Sequence, residues 1–126
     1  MPTPIHGQSA VSSASFVLHP ASFRDPSGFV FRDGEGRLLR QVNHCYEREY
    51  RLLMEKLYDE LVEKRWLIDH EEVHDTATSD DAFAVIRPRE LPFITYPYEW
   101  AFSALKDAAL LTLNIQLRAL KAGLSL

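Results

Sequence analysis

The stretch that decides the fold is Trp100–Lys121, which reads WAFSALKDAALLTLNIQLRALK. On a helical wheel at about 100° per residue, its apolar side chains fill most of the circumference and leave only a narrow polar stripe. Pro97 and Glu99 suit the start of a helix, and Gly123 suits its left-handed stop. We therefore expect one long, mostly buried helix that the upstream elements must cover.

Composition limits the classes of protein to consider. The chain has 126 residues and a net charge of −4, so we expect one domain. Basic residues alternate with acidic ones, which argues against a nucleic-acid partner. The longest charge-free run of the long helix, Ala108–Leu117, is shorter than the roughly 20 residues that a membrane span needs. No signal peptide is recognisable before residue 22, and we expect a soluble protein that does not enter the membrane.

A single cysteine, Cys45, bears on the compartment. It cannot form an internal disulfide, which suits a reducing cytoplasm. We expect its thiol to pack as a small buried hydrophobe beside Tyr46 rather than to act as a nucleophile. The predicted localisation is cytoplasmic.

Upstream of the long helix, the pattern predicts a small antiparallel sheet. Residues 1–21, rich in Ser, Pro, Ala and Gly, should be a flexible tail, and 22–126 should be the folded α+β domain. Phe29–Arg32 and Arg37–Val42 flank the turn Asp-Gly-Glu-Gly and predict a β-hairpin. The turn lacks the third glycine and the strand-to-helix setting of a dinucleotide-binding loop. Ala82–Ile86 should add a further strand.

One amphipathic helix and one connector complete the prediction. Apolar residues recur at three- and four-residue steps over Tyr46–Lys64, which indicates a helix packed on the sheet. Residues 87–100 hold three prolines and several aromatic residues. We expect an extended connector packed over the core, with a short strand at Phe93–Tyr96.

The segment from His70 to His74 reads His-Glu-Glu-Val-His and matches the spacing of a zinc-protease motif. That motif binds zinc only on a helix, which brings both imidazoles to one face. Acidic neighbours, a strand-like approach and the lack of a third ligand at suitable spacing argue against this geometry. We expect two exposed histidines on a charged strand or turn, and no metal site.

The final residues, Leu124-Ser125-Leu126, are apolar just beyond a helix stop. We expect the chain to be the front piece of a longer protein, because such leucines suit the start of another buried element. Part of the long helix's apolar surface would then contact the C-terminal remainder of that protein.

Several segments together resemble a known family: Phe23–Phe31, Arg40–Asn43, Tyr50–Met54, Leu57-Tyr58 and, most specifically, Ile94–Trp100 with its Tyr-Pro-Tyr-Glu-Trp run. They are similar to the N-terminal region of bacterial S-adenosylmethionine (SAM)-dependent methyltransferases, a group that includes nodulation-protein-like members. In that family the glycine-rich SAM-binding domain lies further along the chain. The resemblance implies an accessory or substrate-recognition region that neither binds SAM nor transfers a methyl group alone.

Two alternatives stay open. The order of elements also resembles the front half of a kinase-like fold, although no Val-Ala-x-Lys strand is present. The chain could equally be an interaction module without chemistry. If it contacts a substrate, the polar and aromatic side chains of Tyr96, Tyr98, Glu99 and Trp100 are the predicted surface. The expected partners are a missing C-terminal domain of the same protein and, through the exposed helix surface, a second copy.

Overall fold

The computed structural model describes residues 16–22, 24–74, 76 and 79–125. The elements in chain order are β1 (Val17–Leu18), β2 (Gly28–Arg32), β3 (Leu38–Asn43), a 3-10 turn (His44–Tyr46), α1 (Glu47–Lys56), α2 (Tyr58–Glu63), β4 (His70–Glu72), β5 (Ala82–Pro88), a second 3-10 turn (Pro97–Glu99) and α3 (Phe102–Lys121). The predicted α+β class is confirmed.

The strands form one antiparallel sheet in the order β1-β2-β3-β5-β4. The predicted hairpin is confirmed as β2 and β3, which place Phe31 opposite Leu39. The predicted strand is confirmed as β5, which pairs with β3 on one side and β4 on the other. β4 is charged because it lies at the edge of the sheet, where Glu71 and Glu72 meet water.

The sheet begins inside the segment predicted to be a tail. β1 pairs with β2, and the ring of Phe16 lies edge-on to Phe31 at 5.4 Å between centroids. A strand of two residues is too short to leave a periodic signal in the sequence. Residues 1–15 lie outside the described residues, and the flexible tail stays a prediction for them.

The predicted helix over 46–64 is two helices that meet at Leu57. That residue has φ −127° and ψ −32°, outside helical geometry. The two halves pack on different partners: Tyr50 of α1 packs on the sheet, whereas Leu61 of α2 packs with Ala119 of α3. The bend lets one amphipathic segment contact both the sheet and the last helix.

The long helix is confirmed, but its predicted start and its expected burial are wrong. Pro97 and Glu99 belong to a separate 3-10 turn, and the helix begins at Phe102 because Trp100 and Ala101 are extended. Gly123 ends it with φ +84°, as predicted. Within α3 only Ala119 is buried. The reason is one of size, because the six residues of α2 span about 9 Å while the 20 residues of α3 span about 30 Å. The first turns of α3 therefore extend beyond the elements that could cover them.

An irregular connector does follow β5, but its expected packing and its short strand are wrong. Residues 91–99 are all exposed rather than packed over the core, and Phe93–Tyr96 is not a strand. Both edges of β5 are already paired, one with β3 and the other with β4. The segment that follows β5 therefore has no free edge of that strand with which to pair. The connector instead runs through solvent to the second 3-10 turn.

The core of the sheet is well packed and its polar groups are satisfied. Phe31 and Leu39 are fully buried and pack with Val85. The buried Gln41 donates from Nε2 to Asn43 Oδ1 at 2.7 Å and to the hydroxyl of Ser79 at 3.0 Å. These pairs remove the cost of burying an amide.

Candidate functional site

The four predicted surface residues lie in or beside the second 3-10 turn. The N–H of Tyr96 donates to the Glu99 carboxylate at 2.8 Å, and the N–H of Glu99 donates back to the carbonyl of Tyr96 at 2.9 Å. This reciprocal pair is a capping box, with Pro97 in its first position. The indole N–H of Trp100 donates to the hydroxyl of Thr95 at 2.8 Å. Local hydrogen bonds therefore hold this turn.

Two tyrosine rings lie on the surface of the turn. The rings of Tyr96 and Tyr98 stack at 5.8 Å between centroids and 2° between planes, and the residues are 55% and 84% exposed. The Glu99 carboxylate serves as the cap, and Trp100 is partly buried. The structure thus brings the four residues together in one turn. The two tyrosine rings are exposed, whereas Glu99 and Trp100 make hydrogen bonds that stabilise the turn. Substrate binding by this group stays a prediction.

An apolar stripe runs along the solvent side of α3, and we name it the α3 stripe. Counted at about 100° per residue, its members fall within a sector of roughly 140°, which also contains Lys106 and Gln116. Each is more than 40% exposed. The members are Phe102, Leu105, Leu110, Leu113, Leu117 and Leu120. The opposite side of the helix carries Ile115 and Ala119, which pack toward α2. The helix therefore has two apolar faces, and only one of them is covered.

The two histidines of the zinc-like motif do not lie on a helix. His70 begins strand β4, and His74 lies beyond the end of that strand and is exposed. Four residues of extended chain span about 13 Å, so the imidazoles are not brought together as a zinc ligand pair. The predicted strand or turn is confirmed, but only His74 is exposed.

His70 packs between two tyrosines that reach β4 from the helices. The Tyr50 hydroxyl donates to Glu72 Oε1 at 3.0 Å and lies 3.2 Å from Nε2 of His70. Because the single phenol hydrogen goes to the carboxylate, the imidazole N–H donates to the phenol oxygen. The Tyr58 hydroxyl accepts from the His70 N–H at 2.8 Å and donates to its carbonyl at 3.1 Å. The helices are thereby fastened to the edge strand by side-chain hydrogen bonds.

Burial perturbs the titration of this cluster. It lowers the pKa of His70, although the nearby carboxylates of Glu72 and Asp69 act in the opposite direction. It raises the pKa of Tyr50, and the hydrogen bond to Glu72 and the charge of that carboxylate raise it further. The cluster therefore favours a neutral imidazole and a neutral phenol. Periodicity identified both tyrosines as core residues, but no local signal pairs them with a strand 12 to 22 residues away.

The Gly34-x-Gly36 turn is a hairpin turn, as predicted. The Asp33 carboxylate accepts the N–H groups of Glu35 and Arg37, and the Asp33 carbonyl accepts that of Gly36. The backbone donors that a phosphate would need are thus used inside the turn.

The kinase-like alternative gains no support from the strand after this turn. In kinases a lysine of the third strand pairs with a glutamate of the helix. Here Arg40 of β3 donates to Asp25 at 2.7 Å and to Ser27 at 2.8 Å. Both acceptors lie in the turn before β2, not on a helix.

Cys45 departs from its predicted environment. Its thiol is free and the residue is exposed rather than buried. Sγ lies 3.2 Å from the carbonyl oxygen of Pro26, to which it donates. The residue sits in the first 3-10 turn, where the chain leaves the sheet before the amphipathic face of α1 begins.

Two classes of feature are absent from the part of the chain that the structure describes. No three His, Cys, Asp or Glu side chains there are grouped so that they could hold a metal ion. No helix among those residues is both long and apolar enough to cross a membrane. α3 comes nearest in length, with 20 residues.

Comparison with known proteins finds a similarity to a nodulation protein. No protein-family model matches the chain, and no solved structure matches it. The chain is 36% identical over 108 residues to nodulation protein NoeA of Rhizobium meliloti (strain 1021), an alignment that covers 83% of this chain and 22% of that protein. This chain thus spans about a fifth of the length of the curated relative that it matches, and it is similar to one part of a nodulation protein.

Proposed function

We propose that this chain is the N-terminal accessory or substrate-recognition region of a longer SAM-dependent methyltransferase-like protein, and that the α3 stripe is its contact with the rest of that protein. The α3 stripe is the observation that carries the proposal. Its leucines at 113, 117 and 120 are each more than half exposed, and monomeric proteins rarely leave an apolar patch of this length uncovered. The partial coverage of NoeA supports a larger parent.

Burial of the stripe would supply the docking energy. A large aliphatic or aromatic side chain gains about 1.5–3 kcal/mol on passing from full exposure to full burial. The six stripe residues are between 41% and 83% exposed, so each would contribute part of that gain. The opposite side of α3 is anchored to α2 through Ala119. The helix would then link the sheet on one side to the C-terminal domain on the other.

The proposal assigns no cofactor to this region. SAM would bind in the remainder of the parent protein, as the family resemblance implies. Glycines 34 and 36 lie in a hairpin turn whose donors are used internally, which supports a non-catalytic role for this part. We also propose a cytoplasmic setting, since the exposed thiol of Cys45 suits a reducing compartment. The similarity to NoeA supports a nodulation-related role for the parent protein.

The test of the contact uses the isolated chain and two variants. In Leu113→Asp/Leu117→Asp the stripe is charged, and in Ile68→Asp a matched exposed residue elsewhere is changed. The unaltered chain and Ile68→Asp should bind a hydrophobic dye and self-associate with concentration, and the stripe variant should do neither. A monodisperse, dye-silent unaltered chain would contradict the proposal.

Calorimetry separates the alternatives. The isolated chain should show no binding of SAM or ATP, whereas the complete protein encoded by the same reading frame should bind SAM. Micromolar ATP binding by the isolated chain would favour the kinase-like alternative. A complete protein that does not bind SAM would leave the interaction module as the better description.

A further inference from the structure

A pocket lies between two hydrophobic clusters of the core, one that includes α1 and one that includes α2 and α3. One cluster joins α1 to the sheet through Tyr50, Val42 and Ile86, and the other joins α2 to α3 through Leu61 and Ala119. The space between them has a volume of about 300 Å³. Its apolar lining includes Leu53, Leu57, Leu67, Ile86, Ile115 and Leu124. This lies at the lower end of the size range of small-molecule sites, which are concave, mostly apolar and carry few polar groups.

Polar and charged side chains also line the pocket, and Tyr50 and His70 are the two that bond to each other there. The phenol hydrogen is directed to Glu72, and the imidazole uses Nε2 toward the phenol. The second ring nitrogen of a neutral imidazole is a hydrogen-bond acceptor. His70 lines the pocket, so this remaining ring nitrogen, Nδ1, is the acceptor that we assign to a ligand there.

Two charged side chains line the pocket, Arg40 and Glu49, and Arg40 is the one with a short ion pair. Arg40 lines it but is held by Asp25 at 2.7 Å, and Glu49 lies 3.9 Å from Arg48. An anionic ligand would lose its hydration without gaining a free counter-ion, because Arg40 is already paired. A neutral ligand avoids that cost.

From these three observations we propose that the pocket binds a small, neutral, mainly apolar molecule with one hydrogen-bond donor, which His70 accepts. Burial of apolar surface in the pocket supplies most of the affinity. The donor adds selectivity, because a donor left without an acceptor inside the pocket is penalised. The inference is independent of the α3 stripe, which lies on the other side of the helix.

Three probes of similar size test each part of this description: phenol, toluene and benzoate. Binding is followed by the methyl NMR signals of Leu57 and Ile115 in the isolated chain. Phenol and toluene should shift these signals in a saturable manner, and benzoate should not. No shift with either neutral probe, or saturation by benzoate at the same concentration as phenol, would overturn the proposal.

Two variants locate the site with a matched control. Leu53→Trp should fill the pocket and reduce binding of both neutral probes at least tenfold, whereas the same change at the exposed Leu91, outside both the pocket and the α3 stripe, should leave binding unchanged. Equal binding by the Leu53 variant would place the probes elsewhere and refute the pocket.

The role of His70 is tested by the ratio of the affinity for phenol to the affinity for toluene. In His70→Phe the affinity for phenol relative to toluene should fall roughly threefold to tenfold, as expected for one neutral hydrogen bond. Because both probes are measured on the same variant, any general loosening of the fold affects both and cancels. An unchanged ratio would remove the histidine from the proposal.

Discussion

The sheet and α3 use apolar residues in opposite ways. In the sheet, Phe31 and Leu39 are fully buried and pack with Val85, so the apolar pattern is satisfied within the chain. In α3, Leu113 is 59% exposed although it lies in an equally apolar run. The comparison shows that apolar periodicity in a sequence indicates a surface that is stabilised by burial. Whether that surface is buried depends on whether the chain has another element to pack against it. We interpret the uncovered face as an interface.

The largest expected effect sharpens this comparison with two identical changes. Phe31→Ala removes a fully buried ring and should cost about 3–5 kcal/mol of unfolding free energy. Phe93→Ala removes a ring that is 80% exposed and should change stability by less than about 0.5 kcal/mol. Urea denaturation of both variants measures the difference. Similar losses would mean that the connector is packed after all.

A smaller loss is expected at Gly28, where β2 lies against β3. A Cβ at this position would lie 1.8 Å from the carbonyl oxygen of Gln41, and the residue has φ +156°. Gly28→Ala should therefore force the strands apart and cost about 1–3 kcal/mol. Gly36→Ala is the matched control for space, because nothing lies within 4 Å of its Cβ position, although its φ of +80° still adds backbone strain. The denaturation midpoint should fall further for Gly28→Ala, and the reverse order would contradict the strand geometry.

The sequence predicts what is local and misses what depends on distant partners. The hairpin follows from a Gly-containing turn between two apolar runs, and the end of α3 follows from Gly123, so both were predictable. The degree to which α3 is buried was not predictable. A helical wheel shows which side chains are apolar, but it does not show whether another element packs against them. The bend at Leu57 arises because α1 and α2 meet different partners.

The candidate sites show the same limit. The turn at Tyr96 is encoded in five consecutive residues, including the Glu99 cap, and its aromatic surface was recognisable from the sequence. The exposure of its rings was not, since the connector could equally have packed on the core. The contacts of His70 with Tyr50 and Tyr58 join residues 20 and 12 positions apart. No local pattern specifies them.

Loss of the phenol hydroxyl at position 50 should lower the free energy of unfolding by about 1 kcal/mol. Tyr50→Phe keeps the ring in the core but removes the donor to Glu72 and the acceptor for His70. The hydrogen bonds of the neighbouring Tyr58 to the β4 backbone remain and provide the comparison. Thermal unfolding should show a modest decrease in Tm. An unchanged Tm would indicate that water replaces the cluster without cost.

The pH dependence of stability should carry the signature of His70. Burial lowers the pKa of this imidazole below its unfolded value, so the unfolded chain binds more protons than the folded one as the pH falls. The stability contributed by the neutral ring is present above the unfolded pKa and is lost as the pH falls through the folded one. Unfolding free energy should thus decrease from pH 7 toward pH 5. His70→Gln should flatten this decrease, and an unchanged slope would assign it to other groups.

The most direct test of the interface compares two positions on α3 that lie two residues apart on opposite faces. Ile115→Gln places an amide in the contact with α2 and should cost about 2 kcal/mol or more. Leu113→Gln changes the α3 stripe and should leave unfolding free energy within about 0.5 kcal/mol of the unaltered chain while reducing dye binding and self-association. Urea denaturation of the pair gives the answer. If Leu113→Gln destabilises the isolated chain as much as Ile115→Gln does, the stripe is already packed and is not an open interface.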